Sequence, residues 1–575
     1  MQRKIIRREV SSLHALPADL HPLLQRIYAA RGIQSASELE QGLEKLLPWH
    51  DLIDIHRAVD LLETAIIEQK NILIVGDFDA DGATGTAVAV RALKSFGAQH
   101  VNYLVPNRFS FGYGLTPGLV EMAKSFSPHL IMTVDNGIAN HAGVTAAKNA
   151  GIQVVITDHH LPAETLPEAD AIVNPNQHND PFKSKSIAGV GVVFYVMLAL
   201  RSRLREKNYF EEKNITQPNL AILLDLVALG TVADVVPLDH NNRILVHQGV
   251  RRIRGGHASA GVRALIEVSQ RNPEKLHTSD LAFAIAPRIN AAGRLDDMSL
   301  GIECLLTDDI LRAHEIANML SQLNDERRAI EQDMQQQALD AIEKIHFSDE
   351  KNLPLGLCLF EKEWHQGVIG IVAGRIKDKF HRPVIAFAVE NENSLKGSAR
   401  SISGLHIRDT LANIQAHHPH LIEKFGGHAM AAGLTIPRKV LNEFSTVFDA
   451  AVAARLNEKD LQHVIWSDGE LELENHTLSV ADMLKAAGPW GQHFPEPLFD
   501  GEFDLLEQRI VGEKHLKMTL GQSKELFPAI AFNVDLRQWP NYRCQRVHAA
   551  YRVDVNEFRG KRSIQFIIEH LENIL

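Results

Sequence analysis

From residue 71 onward the chain alternates short, largely apolar runs with segments of helical periodicity, and few architectures accommodate that order. Asn71–Val75, Val101–Val105, Leu130–Val134 and Gln153–Thr157 have strand length, while Gly85–Phe96 and His141–Asn149 between them read as helices. Strands that are apolar along their whole length need cover on both faces, which helices in crossover connections supply. The pattern predicts an α/β fold built on a doubly wound parallel sheet. Such sheets bind ligands beyond the carboxyl ends of their strands, so the residues that follow each run are the ones to inspect.

With 575 residues the chain exceeds one compact core, and two to four domains are expected. Residues 1–308 are assigned to an N-terminal segment and the doubly wound domain. Asp309–His346 contains no Gly or Pro and is rich in Ala, Leu, Glu and Gln, as a long connecting helix requires. A second, smaller α/β pattern follows and is assigned to residues 347–460. From about Trp466 the chain has short strand-like runs such as His515–Leu520 and Tyr551–Val555, which predict a β-rich, OB-like barrel over residues 461–575.

Hydrophobic residues make up 45% and charged residues 23% of the chain, proportions ordinary for a globular protein. No apolar run approaches the roughly 18 residues that span a bilayer, and MQRKIIRREV lacks the apolar core of a signal peptide, so a cytoplasmic location is expected. Cys304, Cys358 and Cys544 are odd in number and lack CxxC spacing, which speaks against a disulfide framework or a thiolate zinc site. A metal here would be held by oxygen and imidazole. The formal charge of −11 is unlike a basic nucleic-acid coat, but acids gathered around cations would supply part of it.

The predicted strand ends carry the chemistry. Ile72–Val75 runs into GDFDADG with Asp77, Asp79 and Asp81; Leu130–Val134 ends in Asp135; Gln153–Thr157 ends in Asp158, His159 and His160. Carboxylates brought so close repel one another unless cations neutralise them, and a mixed carboxylate and imidazole set suits Mn²⁺ or Mg²⁺. Two such ions about 3.5–4 Å apart could share a bridging carboxylate, activate a water and stabilise a leaving phosphodiester oxygen. Asp135 is the candidate bridge. Taken alone, GDFDADG could be a calcium loop, but the twelfth position that would need Glu is Val88, inside a predicted helix. DHH alone could be a helix cap with two surface histidines.

GDFDADG, VDNG and TDHH, in this order and spacing, resemble the DHH phosphoesterase superfamily. PNRFSFGYG, DLVALGTVADVVPL, PRINAAGR, GVIGIVAGRI, KGSARS and FGGHAMAAG are similar to its bacterial single-stranded-DNA-specific exonucleases. The likeness runs from about residue 70 to 437. It implies that Asp77, Asp79 and Asp135 hold one divalent cation, and that Asp81, Asp135, His159 and a later Asp hold the second. Asp225, which ends the apolar run Ala221–Leu224, fits that later position best, with Asp234 as its rival. His160 would face the scissile phosphate, and Asp158 would orient a neighbouring imidazole.

For phosphate recognition the resemblance implies Arg108 at the 5′ end of the substrate, where its planar fork suits phosphate oxygens. Arg288 and Arg294 in PRINAAGR are further candidates, as are Ser398, Arg400 and His428, on a DHHA1-type lobe that clamps substrate. Tyr113 and Phe111 could stack on bases, whereas Phe109 reads as a packed loop residue. Trp490, Phe494 and Phe499 could line a barrel surface or form a packing cluster, and the basic residues of RVHAAYRVDVNEFRGKR are either a backbone track or a solvated strand pair.

The implied activity is metal-dependent 5′-to-3′ hydrolysis of single-stranded DNA, releasing 5′-mononucleotides in recombination and repair. Single-stranded DNA with a 5′ end is the expected substrate. A single-strand DNA-binding protein and a repair helicase are expected partners of a monomeric enzyme. The alternative keeps the chemistry but acts on short oligonucleotides, cyclic dinucleotides or pyrophosphate; such enzymes need no long strand channel, and the tail of the chain speaks against it. A non-catalytic scaffold would not be expected to retain so many clustered acids.

Overall fold

The strand-length runs pair in the computed structural model as a five-stranded, all-parallel sheet. Its strands are β1 (Ile72–Gly76), β2 (Val101–Leu104), β3 (Leu130–Val134), β4 (Gln153–Thr157) and β5 (Ala171–Val173), in the spatial order β2-β1-β3-β4-β5. The structure describes residues 4–10, 16–107, 113–344, 354–457 and 460–574. Alternate side chains leave the sheet on opposite faces. Leu73, Val75, Ile131, Val154 and Ile156 pack with Leu119, Val120, Val144 and Ala147 on one side. Ile72, Ile74, Leu130, Met132 and Val155 join the large core on the other. Helices on both faces therefore make the sheet doubly wound, as the apolar runs require.

Strand order reverses between β1 and β3, whose neighbours lie on opposite sides, and the carboxyl ends there form the crevice where such sheets bind ligands. Three helices enclose this region. Helix α1 (Ala80–Ser95) starts inside GDFDADG, α2 (Gly189–Glu206) packs against it, and α3 (Leu224–Ala233) lies beside both. Small residues let α1 be buried nearly all round, with Ala83, Gly85, Ala87 and Ala89 among its buried positions.

The chain divides into two compact units, one comprising residues 8–324 and 468–575, the other residues 1–7 and 325–467. A single 35-residue helix, Ile310–Lys344, contains the boundary between residues 324 and 325. The second unit has a five-stranded mixed sheet containing β6 (Leu357–Phe360), β7 (Val384–Val389), β8 (Ser394–Arg400), β9 (Lys424–Gly427) and β10 (Ala431–Pro437), in the order β9-β10-β8-β7-β6. Its N-terminal strand Lys4–Arg7 pairs in parallel with Val464–Ser467.

Within the first unit, Phe499–Val511, His515–Gln522, Glu525–Ala531, Arg546–Phe558 and Lys561–Ile574 close into a barrel, the predicted OB-like domain. Phe499, Phe503, Phe527, Tyr551 and Phe566 fill its interior. Of the two readings of the tail aromatics, packing is the one observed. Trp490 stacks on Phe494 at 5.1 Å between ring centres, and Phe494 and Phe499 are buried. The basic run is paired with acids: Arg546 with Glu502, Arg552 with Glu496, and Arg562 with Asp482. No helix among the described residues is long and apolar enough to cross a membrane.

Candidate metal centre

Each strand end extends its ladder by one residue before releasing a side chain into the crevice. The backbone N–H groups of Asp77, Asp135 and Asp158 donate to Val134, Thr157 and Val173 carbonyls at 3.2, 3.0 and 3.2 Å. Asp135 then turns into the left-handed region, with φ of 62°. Asn136 supports this turn by donating from Nδ2 to the carbonyls of Val75 and Val134, tying β1 to β3. Tyr113 donates its hydroxyl to the Asp135 carbonyl at 3.0 Å, and its ring meets His160 and Phe78 edge to face.

Three groups of potential ligands result: Asp77, Asp79 and Asp135; Asp81, His159 and Asp234; and Asp135, His159 and His160. Within each group the donor atoms lie within 4.8 Å of one another. His159 Nε2 stands 3.1 Å from Asp135 Oδ1 and 3.4 Å from Asp234 Oδ2, so it joins the groups. Asp79 caps α1, accepting from the Asp81 and Gly82 N–H groups through Oδ1. Asp81 accepts from the Gly189 and Val190 N–H groups, 2.7 and 2.9 Å away, at the start of α2. Gly189 is required there, because a Cβ would stand 2.7 Å from the Asp135 side chain.

Of the two candidates for the later ligand, Asp225 and Asp234, it is Asp234 that stands beside Asp81 and His159. Asp225 lies in the first turn of α3 and accepts from the Ser259 N–H at 2.7 Å, while Asp234 at the opposite end of the helix reaches His159. The apolar run before Asp225 is a 3₁₀ turn entering a helix, so it delivers nothing to a strand end.

The electrostatics explain why the cluster calls for cations. Burial, then the neighbouring carboxylates, push Asp135 well above the ordinary carboxylate range. Burial and the Asp234 charge raise Asp81 to about 7, and burial and Asp79 raise Asp234 to about 7. Burial, aided by His160, lowers His159, which leaves its ring neutral and able to offer a lone pair. Asp135 Oδ1 and His159 Nε2 are both buried without a hydrogen-bond partner although they face each other. Two electron-pair donors in that position, amid carboxylates that resist ionising together, fit a divalent cation.

His160 differs from His159. Burial opposes its protonation, but the charge and hydrogen bond of Asp158 outweigh burial, and with Asp234 and Asp77 they push it up to about 9. Burial likewise opposes ionisation of Asp158, yet His160 brings it down to about 2. Asp158 Oδ2 also accepts from the Ile138 N–H. Sequence reasoning missed Asn174 and Asn176, which follow β5 and donate from Nδ2 to the carbonyls of His160 and His159 at 2.9 and 2.6 Å. The signal was present in AIVNPN, a short apolar run released into asparagines.

The other sequence candidates are distributed. Arg108, Phe109 and Phe111 lie outside the described residues. Arg288 is buried in the helix Ala286–Leu295, donating to the Ala284 carbonyl and to Ser321 Oγ, and Arg294 lies in the last turn of that helix. Ser398, Arg400 and His428 belong to the other unit, where they gather at one end of its sheet. Arg400 donates to Ser398 Oγ at 3.1 Å and is paired in register with Ala431, whose carbonyl accepts from the His428 N–H.

A doubly wound sheet that carries this carboxylate and imidazole cluster at its switch point defines a DHH-type phosphoesterase, and the model of the DHH family, N-terminal domain, matches residues 71–231. The DHHA1 domain model matches residues 354–454 and the RecJ OB domain model residues 467–570. The chain belongs to the RecJ family: it is 54% identical to the single-stranded-DNA-specific exonuclease RecJ of Salmonella typhimurium over 99% of both chains. It is also similar to crystal structures of Thermus thermophilus RecJ. The complex with Mn²⁺ has a TM-score of 0.80 at 30% identity, covering 98% of this chain and 77% of that one. The complex with Mg²⁺ has a TM-score of 0.74 at 28% identity, covering 98% and 76%.

Proposed function

We propose that this chain is a single-stranded-DNA-specific exonuclease that hydrolyses its substrate from the 5′ end, releasing 5′-mononucleotides, with two divalent cations, Mn²⁺ or Mg²⁺, at the strand ends. The observation that carries this reading is the placing of Asp135 and His159 each in two ion-sized groups, with Asp77 and Asp79 on one side and Asp81 and Asp234 on the other. When bound, the ions would supply Lewis-acid activation of a water and stabilisation of the departing 3′ oxygen.

The chain's own residues would do the remaining work. His160, oriented by its 2.7 Å hydrogen bond to Asp158, would face the scissile phosphate and offer it a polar contact. Tyr113 fixes the backbone of Asp135 through its hydroxyl and offers its half-exposed ring to a base. Arg108 takes the terminal 5′ phosphate, and Arg288 and Arg294 support the strand. Ser398, Arg400 and His428 form a donor cluster for a phosphate, a reading supported by their convergence at one sheet end. The domain limits proposed are 1–308, 309–346, 347–460 and 461–575.

The same reading makes the enzyme a cytoplasmic monomer acting in recombination and repair, with a single-strand DNA-binding protein and a repair helicase as partners. Three free cysteines are compatible with a reducing compartment. The test is digestion of single-stranded DNA labelled at its 5′ phosphate, with Mn²⁺ or EDTA, beside the matching blunt duplex. Immediate release of labelled mononucleotide from the single strand alone, abolished by EDTA, is expected. A labelled ladder that shortens gradually would overturn the polarity, and intact DNA in Mn²⁺ would overturn the activity.

A further inference from the structure

The ligand loop is held from behind by a helix that supplies no ligand. Asp77, Asp79 and Asp81 alternate with Phe78 and Ala80, and these two intervening residues meet one face of the helix Ala286–Leu295. The buried Ala80 N–H donates to Asn290 Oδ1 at 2.9 Å. One turn on, Gly293 packs so closely on the Phe78 carbonyl oxygen that a Cβ would overlap it. The helix is itself anchored, because Arg288 ties it to the Ala284 carbonyl and to Ser321.

The first amides of α1 are thereby divided between two acceptors. Asp79 Oδ1 takes the Asp81 and Gly82 N–H groups at 3.0 Å each, and Asn290 takes the Ala80 N–H. Asp79 has two duties, capping the helix and facing Asp77 and Asp135 in a potential ligand group. Losing the Asn290 acceptor would leave a buried donor next to it, and the loop would shift to find a partner.

Resting on the metal-centre reading above, we propose that Asn290 is a positioning residue for the Asp77–Asp81 loop, setting the spacing of its three carboxylates between the two candidate cation groups. Gly293 makes the close approach possible. Asn290 would act through the Ala80 N–H and not as a ligand itself.

The test is Mn²⁺ binding to the metal-free full-length protein, followed by electron paramagnetic resonance and calorimetry, with thermal melting measured in EDTA. Asn290→Ala should weaken Mn²⁺ binding by about tenfold, the scale of lost support behind a metal ligand. Asn290→Asp, which keeps the acceptor oxygen, should restore most of the affinity. Should Asn290→Ala lack a folded circular dichroism spectrum, Asn290→Ser replaces it, with the same weakening expected. Unchanged Mn²⁺ affinity in the folded variant, with only a lower melting temperature, would overturn the positioning role, and so would equal weakening in Asn290→Asp. A wild-type protein that binds no Mn²⁺ would instead overturn the metal-centre reading itself, and the proposal with it.

Discussion

Asp158 and His160 form a hydrogen-bonded ion pair at the metal centre, Oδ1 to Nδ1 at 2.7 Å, with the carboxylate almost wholly enclosed. His160 is raised from 6.5 to about 9, so the pair contributes fully below pH 6.5 and is lost as pH rises through about 9. At the acid end it is lost as pH falls through about 2, where Asp158 protonates. In metal-free protein the His160 ring should therefore titrate near 9 by NMR, and Asp158→Asn should move it down toward 6.5. The same variant should lose on the order of tenfold or more in kcat. A His160 titration unmoved by Asp158→Asn would remove Asp158 from that role.

Asp234 and Asp225 should separate cleanly by substitution. Asp234→Ala takes away the carboxylate facing His159 and should abolish Mn²⁺-dependent hydrolysis while the protein stays folded. Asp225→Ala leaves the part-buried Ser259 N–H without its acceptor and should cost about 1–3 kcal/mol of stability, with Mn²⁺ affinity unchanged. Calorimetric Mn²⁺ titration and denaturant unfolding on both variants decide it; a reversal of the two outcomes would restore Asp225 as the ligand.

Removing the cations should make the fold pH-sensitive in an unusual direction. Asp81 and Asp234 are each raised from 3.8 to about 7, so the folded state binds more protons than the unfolded chain between those values. Their contribution to metal-free stability therefore falls as pH rises from about 4 to 7 and is lowest above 7. In EDTA the protein should melt higher at pH 6 than at pH 8, and Mn²⁺ at about a hundredfold over its Kd should add about 2.7 kcal/mol per site. Asp234→Asn should flatten the EDTA slope; an unaltered slope would show that the cluster is not its source.

The barrel has a different pH response. His476 is lowered from 6.5 to about 4 by burial, with Nε2 held 2.9 Å from the Tyr551 hydroxyl and its ring among Phe527 and Phe566. Its neutral form is favoured by folding, so its contribution is complete above pH 6.5 and is lost as pH falls toward 4. Acidification across that window should weaken the barrel by on the order of 2 kcal/mol, and His476→Gln should reduce the effect. Near-ultraviolet circular dichroism during acid titration measures it; equal titrations in variant and wild type would exclude His476.

Much of the metal centre was legible because its residues follow strands immediately. Asp77, Asp135 and Asp158 each occupy the first position past a strand, so a correct strand assignment also locates the carboxylates. Helix-borne residues gave no such signal. Asp225 and Asp234 stand at opposite ends of α3, nine positions apart in number, and at about 1.5 Å of rise per residue only one end of the helix can meet His159. Which end does so depends on how α3 packs against α1 and α2. The tail aromatics were equally undetermined, since a stretch rich in Trp and Phe reads alike whether it lines a surface or fills a core.

The sequence by itself determined the doubly wound sheet, the acids and imidazoles at its carboxyl edge, the long helix and the β-rich tail, because each is written in local periodicity and in the residues that end it. Tertiary structure alone decided that Asp234 faces His159, that Asn290 holds the Ala80 N–H across 210 positions, and that Phe494 is buried with the partly buried Trp490 stacked on it. Those relations join residues far apart in the chain. They are fixed by how buried helices and strand ends satisfy one another's polar groups while excluding water, and no local pattern encodes that outcome.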